Sequence, residues 1–238
     1  MTLITEHLKY GTLENILRLE ERGLCPNNWC DTKKVINIFG IASGMSYLHS
    51  QGIIHKNLQP KNILEDNNLY PKICNFGFSF YHKGDLNLQQ SVRVDFIDNI
   101  YDAPEILSEY NELTPKCNVY SFGMIVYTLI TGKIPFKEDF YGNTFRLFTA
   151  ITHGLRPDID SEVPNCYRDL ISRCWSGDPS ARPTFDEIVE MIKNKAEEFV
   201  TEYGDLEEFK DYINFIESSG QERAFIDDNI YGDDDDDD

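Results

Sequence analysis

His55, Asn57, Gln59 and Asn62 fall within one eight-residue stretch, His55-Lys56-Asn57-Leu58-Gln59-Pro60-Lys61-Asn62, and Asn75-Phe76-Gly77 follows shortly after. Apart from the imidazole of His55, the polar groups at these positions are amides. A side-chain amide has nearly the outline of a carboxylate and can both donate and accept hydrogen bonds. It cannot take a proton from a hydroxyl at neutral pH, so Asn57 and Asn75 cannot act as general bases. The stretch can hold shape and hydrogen-bond geometry, but proton-transfer chemistry has no acceptor there other than His55.

The surrounding pattern shows what must position these residues. Gly52-Ile53-Ile54-His55 reads as a short buried strand feeding the polar loop. Asn62–Glu65 and Tyr70–Cys74 read as a hairpin around Asp66-Asn67-Asn68. Ahead of them, Thr12 can cap a helix from Leu13 to about Arg22 that Gly23 closes. Lys33 to Ser50 carries Val35, Ile36, Phe39, Ala42, Met45 and Leu48 at three- and four-residue spacing, one buried helical stripe. Val119 to Thr131 is apolar nearly all round and predicts a central helix ended by Gly132. Phe78 to Asp102 reads as a polar segment. Further helices fit 143–152, 167–175 and 185–195, the last opened by the capping box Thr184-x-x-Glu187. Residues 196–225 suggest one acidic amphipathic helix carrying Phe199, Leu206, Phe209, Tyr212, Ile213 and Ile216. The fold class expected is mainly α with short β hairpins.

The net charge of −19 is uneven. Residues 196–238 carry 17 acidic against two basic side chains, whereas residues 1–195 carry 24 against 20. The acidity therefore belongs to the C-terminal part, which ends in six aspartates, Asp233–Asp238. That sign disfavours nucleic-acid binding through phosphates. No apolar run reaches the ~18 residues of a membrane span. Six cysteines without a Cys-x-x-Cys pair suit reduced thiols and a cytoplasmic location.

The order and spacing of these motifs resemble the C-terminal lobe of the protein-kinase superfamily, over about Leu3 to Lys195. Leu3-Ile4-Thr5-Glu6-His7-Leu8 looks like the fifth strand and hinge. His55–Asn62 looks like the catalytic loop, Asn75-Phe76-Gly77 like the metal-binding Asp-Phe-Gly, and Ala103-Pro104-Glu105 like the close of the activation segment. Asp178-Pro179-Ser180-Ala181-Arg182-Pro183 is similar to the ending seen in tyrosine-kinase-like and receptor-interacting kinases. Pro60 follows the serine/threonine pattern.

The resemblance implies roles. Asn57 stands at the base position, Gln59 at that of a phosphate-neutralising Lys, and Asn62 and Asn75 at the Mg²⁺ positions. Asn118 replaces an Asp that braces the loop. Thr5, Glu6, Leu8, Leu64 and Cys74 would form the adenine-side floor. His55 and Phe76 would stack in the regulatory column, and Glu105 and Arg182 would form a buried ion pair. ATP and Mg²⁺ are implied as cofactors only if an N-terminal lobe is present. As written, none is expected.

The resulting expectation is a kinase-like domain over 1–195 (hinge strand plus C-lobe, with the N-lobe essentially absent). An acidic helical extension over 196–219 and a disordered acidic tail over 220–238 would follow. Its expected role is a catalytically inactive scaffold or regulatory module with protein partners, with no nucleic acid or membrane partner. Dimerisation could occur through the exposed hinge edge at Leu3 and Ile4. Two alternatives stand beside it: the truncated lower lobe of an ATP-dependent serine/threonine kinase, and an adaptor whose acidic tail binds a basic protein.

Overall fold

Two long helices carry the core, and the remaining elements are arranged around them. The computed structural model describes residues 8–81, 100–106, 114–137 and 144–230. The first helix, α1 (Leu13–Glu21), starts where Thr12 Oγ1 accepts the Asn15 amide at 3.3 Å, and it closes through Gly23 at φ +68°. Next comes α2 (Asp31–Ser50), whose apolar residues from Val35 to Met45 are nearly all buried, because other elements cover it on several sides.

The loop elements are short. β1 (Ile53–Ile54) pairs antiparallel with β4 (Phe80–Tyr81), and β2 (Ile63–Glu65) pairs antiparallel with β3 (Pro71–Ile73). The second pair is the expected hairpin, in the register Ile63 to Ile73. The β1–β4 pair differs from the sequence reading, which left Phe80 and Tyr81 in a polar segment. A two-residue strand is too short to show period-2 alternation, so only tertiary pairing reveals it.

α3 (Lys116–Thr131) is the buried centre, with every residue from Cys117 to Leu129 buried, and Gly132 at φ +67° ends it. α4 (Thr144–Thr152), α5 (Asn165–Cys174) and α6 (Phe185–Asn194) follow. α3 packs on α5 so closely that a Cβ at Gly123 would lie 2.8 Å from Cys174 Cβ. α6 packs on α2 and opens with the expected reciprocal capping box. Thr184 N donates to Glu187 Oε2 at 2.7 Å, and Glu187 N donates to Thr184 Oγ1 at 3.2 Å.

The C-terminal extension differs from the single helix expected. It divides into α7 (Ala196–Phe199) and α8 (Leu206–Ile230). The break has a local cause. Gly204 closes a turn on Thr201, and Asp205 then caps a new helix, its Oδ1 accepting the Glu207 and Glu208 amides, each at 3.0 Å. The backbone of α8 continues past Gly220, where the sequence reading sets the start of the tail. A single glycine inside a helix costs only ~1 kcal/mol. The aspartate run and the hinge edge at Leu3 and Ile4 lie outside the described residues.

Phe209 and Tyr212 of α8 meet Phe39 of α2 edge-on, with ring centroids 5.7 and 6.4 Å apart. The extension is therefore part of the core. No helix among the described residues is long and apolar enough to cross a membrane, and all six cysteines are free thiols.

Candidate functional site

The polar loop is held from below by α3 and from the side by the β2–β3 hairpin. Asn118, in the first turns of α3, accepts at Oδ1 from the His55 backbone amide at 3.0 Å. The same oxygen lies 3.1 Å from His49 Nε2. One amide oxygen thus ties the end of α2, the start of the loop and the central helix together. His49 escaped the sequence reading, since a histidine in the last turn of a helix carries no sign of a partner so far along the chain.

His55 is fully buried. Its Nε2 lies 2.9 Å from the Cys74 carbonyl, and its Nδ1 lies 3.3 Å from the Asn57 amide. The carbonyl can only accept and the amide can only donate, so the ring is neutral with its proton on Nε2. Burial lowers the pKa of His55, and likewise that of His49. Phe76 stacks edge-on against His55 at 5.2 Å and is itself 46% exposed. The pair expected from the sequence is in contact, with Phe76 partly open to solvent.

The amides form a chain. Gln59 Nε2 donates to Asn57 Oδ1. Asn62 Nδ2 donates to the Asn57 carbonyl at 2.7 Å, and Asn75 Nδ2 donates to Asn62 Oδ1 at 3.0 Å. All four residues predicted for the site are brought together and bonded to one another. Asn75 sits in the left-handed region at φ +67°, a conformation that asparagine tolerates better than most residues.

The Asn62 oxygen that a metal would need already accepts a hydrogen bond. Among the described residues, no group of three or more His, Cys, Asp or Glu is gathered to hold a metal ion. Lys56 also has a positive φ, +66°, and burial lowers its pKa.

The expected floor residues are placed unevenly. Thr5 and Glu6 lie outside the described residues. Leu64 bridges to Thr12, and the Leu8 carbonyl accepts the Gly11 amide in the adjoining turn. Cys74 N donates to the Asn62 carbonyl at 3.0 Å. Of these, Cys74 is tied directly to the amide chain, whereas Leu64 and Leu8 lie at the turn around Gly11 and Thr12. Beyond Gln59 and Lys61, a groove of about 580 Å³ opens between α1 and α4, with Arg18, Tyr101, Phe136 and Leu147 on its walls.

Glu105 and Arg182 form a two-pronged pair far from the amides in sequence. Arg182 Nη1 and Nη2 donate to Glu105 Oε1 and Oε2 at 2.5 and 2.8 Å. Arg182 also donates to the carbonyls of Ser176 and Lys116, each at 2.9 Å, and its side chain is wholly buried. The guanidiniums of Arg182 and Arg156 lie 5.2 and 5.0 Å from the centre of the Tyr120 ring.

Comparison with known proteins shows the family of the chain. A family model for protein tyrosine and serine/threonine kinases matches residues 1–192. The chain is 34% identical over 206 residues to human receptor-interacting serine/threonine-protein kinase 1, a match covering 81% of this chain and 30% of that protein. It is 33% identical over 200 residues to dual specificity protein kinase pyk3 of Dictyostelium discoideum, covering 83% and 14%. It is 32% identical over 201 residues to human mitogen-activated protein kinase kinase kinase 7, covering 80% and 30%. The chain spans less than a third of the length of these relatives.

Proposed function

This chain belongs to the protein tyrosine and serine/threonine kinase family, and from that premise we propose that it is a kinase-like domain without phosphotransfer activity, working as a binding or scaffolding module for protein partners. The observation that carries this reading is the closed chain of amides Gln59, Asn57, Asn62 and Asn75. Phosphoryl transfer in this family relies on a carboxylate that accepts the substrate proton and on Mg²⁺ held against the phosphates.

The donor set here does not fit that metal. Mg²⁺ is a hard cation that takes carboxylate and phosphate oxygens and keeps several waters. The amide oxygens offered are neutral, and the one on Asn62 is already bonded to Asn75. The base position carries the same deficit. An amide at Asn57 forgoes a contribution typically of ~10²–10⁴-fold in rate. No step through nucleotide or metal follows from these residues.

The supporting surfaces remain. His55 and Phe76 are in contact, Asn118 still anchors the loop, and the Glu105–Arg182 pair is intact. A lobe that keeps its shape keeps surfaces on which a protein partner could dock, and the groove beside Lys61 is a candidate. The free thiols are consistent with a reducing, cytoplasmic setting.

The test is a titration of the chain with ATP, with and without Mg²⁺, followed by calorimetry, together with a phosphotransfer assay. The expected result is no Mg²⁺-dependent gain in affinity and no transfer. Transfer by the unmodified chain that disappears in Asn62→Ala would overturn the proposal.

A further inference from the structure

Glu65 is fully buried at the inward end of β2, on the same strand face as Ile63. A carboxyl group at such a position needs partners, and among the described residues its only side-chain hydrogen-bond partner is Asn37 of α2. Asn37 Nδ2 donates to Glu65 Oε2 at 3.4 Å, and more closely to the carbonyls of Lys33 and Leu69, at 3.0 and 3.2 Å. The other oxygen of each group, Glu65 Oε1 and Asn37 Oδ1, is buried with no hydrogen-bond partner among the described residues.

Two bare acceptors on neighbouring groups are costly. One proton removes the conflict. Placed on Glu65 Oε1, it would turn an acceptor into a donor for which Asn37 Oδ1 is a free acceptor, beside the bond from Asn37 Nδ2 to Oε2.

Helix α8 covers this pair. Its Tyr212 is buried and lies so close to α2 that Gly40, one turn beyond Asn37, has no room for a Cβ. Its Glu208 accepts from Lys33 Nζ at 2.6 Å, and the same ammonium lies 4.8 Å from the centre of the Tyr70 ring. The nearest cation is thereby committed to α8 rather than to Glu65. The charged and titratable groups facing Glu65 are Lys33 from α2, Asp66 from its own hairpin and Tyr212 from α8, with Tyr70 beside Tyr212.

We propose that Glu65 is held as a neutral acid paired with Asn37, and that loss of its proton releases α8 from α2. Ionised, the carboxylate would face Asn37 Oδ1 and Asp66 beneath an apolar cover. Once α8 lifts, water reaches the carboxylate and Lys33 is freed from Glu208. Burial pushes the Glu65 pKa up to about 8, the direction this pairing requires.

Amide hydrogen exchange over residues 206–219 of the full chain, corrected for the chemical exchange rate and followed from pH 5 to 9, reads the release directly. In the unmodified chain the opening constant of α8 is expected to rise with pH, approaching tenfold per unit and levelling off above about pH 8. It should exceed the opening constant of α3 throughout. Glu65→Gln, whose amide can still donate to Asn37, should remove the slope. Glu65→Met, neutral and of similar length, should do the same and decides the matter if the Gln variant does not fold. A flat profile in the unmodified chain overturns the proposal. So does a slope that survives in both variants, or an α8 that opens only together with α3.

Discussion

Asn57 and Asn75 differ from aspartate by one NH2 in place of an oxygen, and that difference decides what the loop bonds to. A carboxylate at position 75 could not donate to Asn62, so the bond that now occupies Asn62 Oδ1 would be lost and that oxygen freed. The double variant Asn57→Asp, Asn75→Asp is therefore expected to gain Mn²⁺ or Mg²⁺ affinity relative to the unmodified chain, measurable by calorimetry. Unchanged affinity would show that more than charge is missing. Arg182 invites a second test. Its side chain is wholly buried against Glu105, and removing one half of such a pair leaves a charge uncompensated. Arg182→Ala should cost about 3–5 kcal/mol in urea unfolding. A loss below about 1 kcal/mol would mean that neither the ion pair nor the bonds to the Ser176 and Lys116 carbonyls add much net stability.

At the scale of the elements, the C-terminal extension is bound by packing and α6 is set by its cap, and the two should respond differently to truncation. Phe209→Ala removes a fully buried ring from the α2–α8 contact and should cost about 3–5 kcal/mol. Thr184→Ala removes one cap at the start of α6 and should cost about 1 kcal/mol. Equal costs in denaturant titrations would contradict this division. The same contrast explains what was legible in the sequence. Helices with long periodic stripes or capping residues, α2, α3 and α6, were readable because their signals are local. The residues of the polar loop were readable because they lie within eight positions of one another. The β1–β4 pairing, the His49–Asn118 contact and the Asn37–Glu65 pair were not, because each joins segments far apart in the chain. Glu65 did leave one trace: alternation places it on the face of Ile63, where a charge is out of place. The break between α7 and α8 turned on Asp205, whose capping role competes with its reading as one more acidic residue in a helix.

Across the whole molecule, buried titratable groups pull stability in opposite directions. The pKa of His49 and of His55 is lowered from 6.5 by burial. Below that value the unfolded chain takes up protons that the folded chain does not, so stability falls as the pH drops. Glu65 is raised from 4.5 to about 8. Between those values the folded chain holds a proton that the unfolded chain releases, so stability falls as the pH rises. Each group contributes at most about 1.4 kcal/mol per pH unit. The two histidines and the carboxyl oppose one another below pH 6.5, and of the three the carboxyl alone acts above it, so the thermal midpoint should fall as the pH rises from 6.5 to 8. Glu65→Gln should flatten the alkaline limb and steepen the acid limb, where the carboxyl no longer opposes the histidines. A midpoint that climbs steadily from pH 6 to 8 would refute this balance.

The closed run of amides also bears on how such a protein can change over generations. Asparagine and aspartate codons differ by a single base, and the two side chains fill almost the same space. The packing around Asn57, Asn75 and Asn118 therefore raises little steric barrier to exchange in either direction. Mutation can add or remove charge at this site while the lobe goes on folding, so selection on activity and selection on architecture can act here separately.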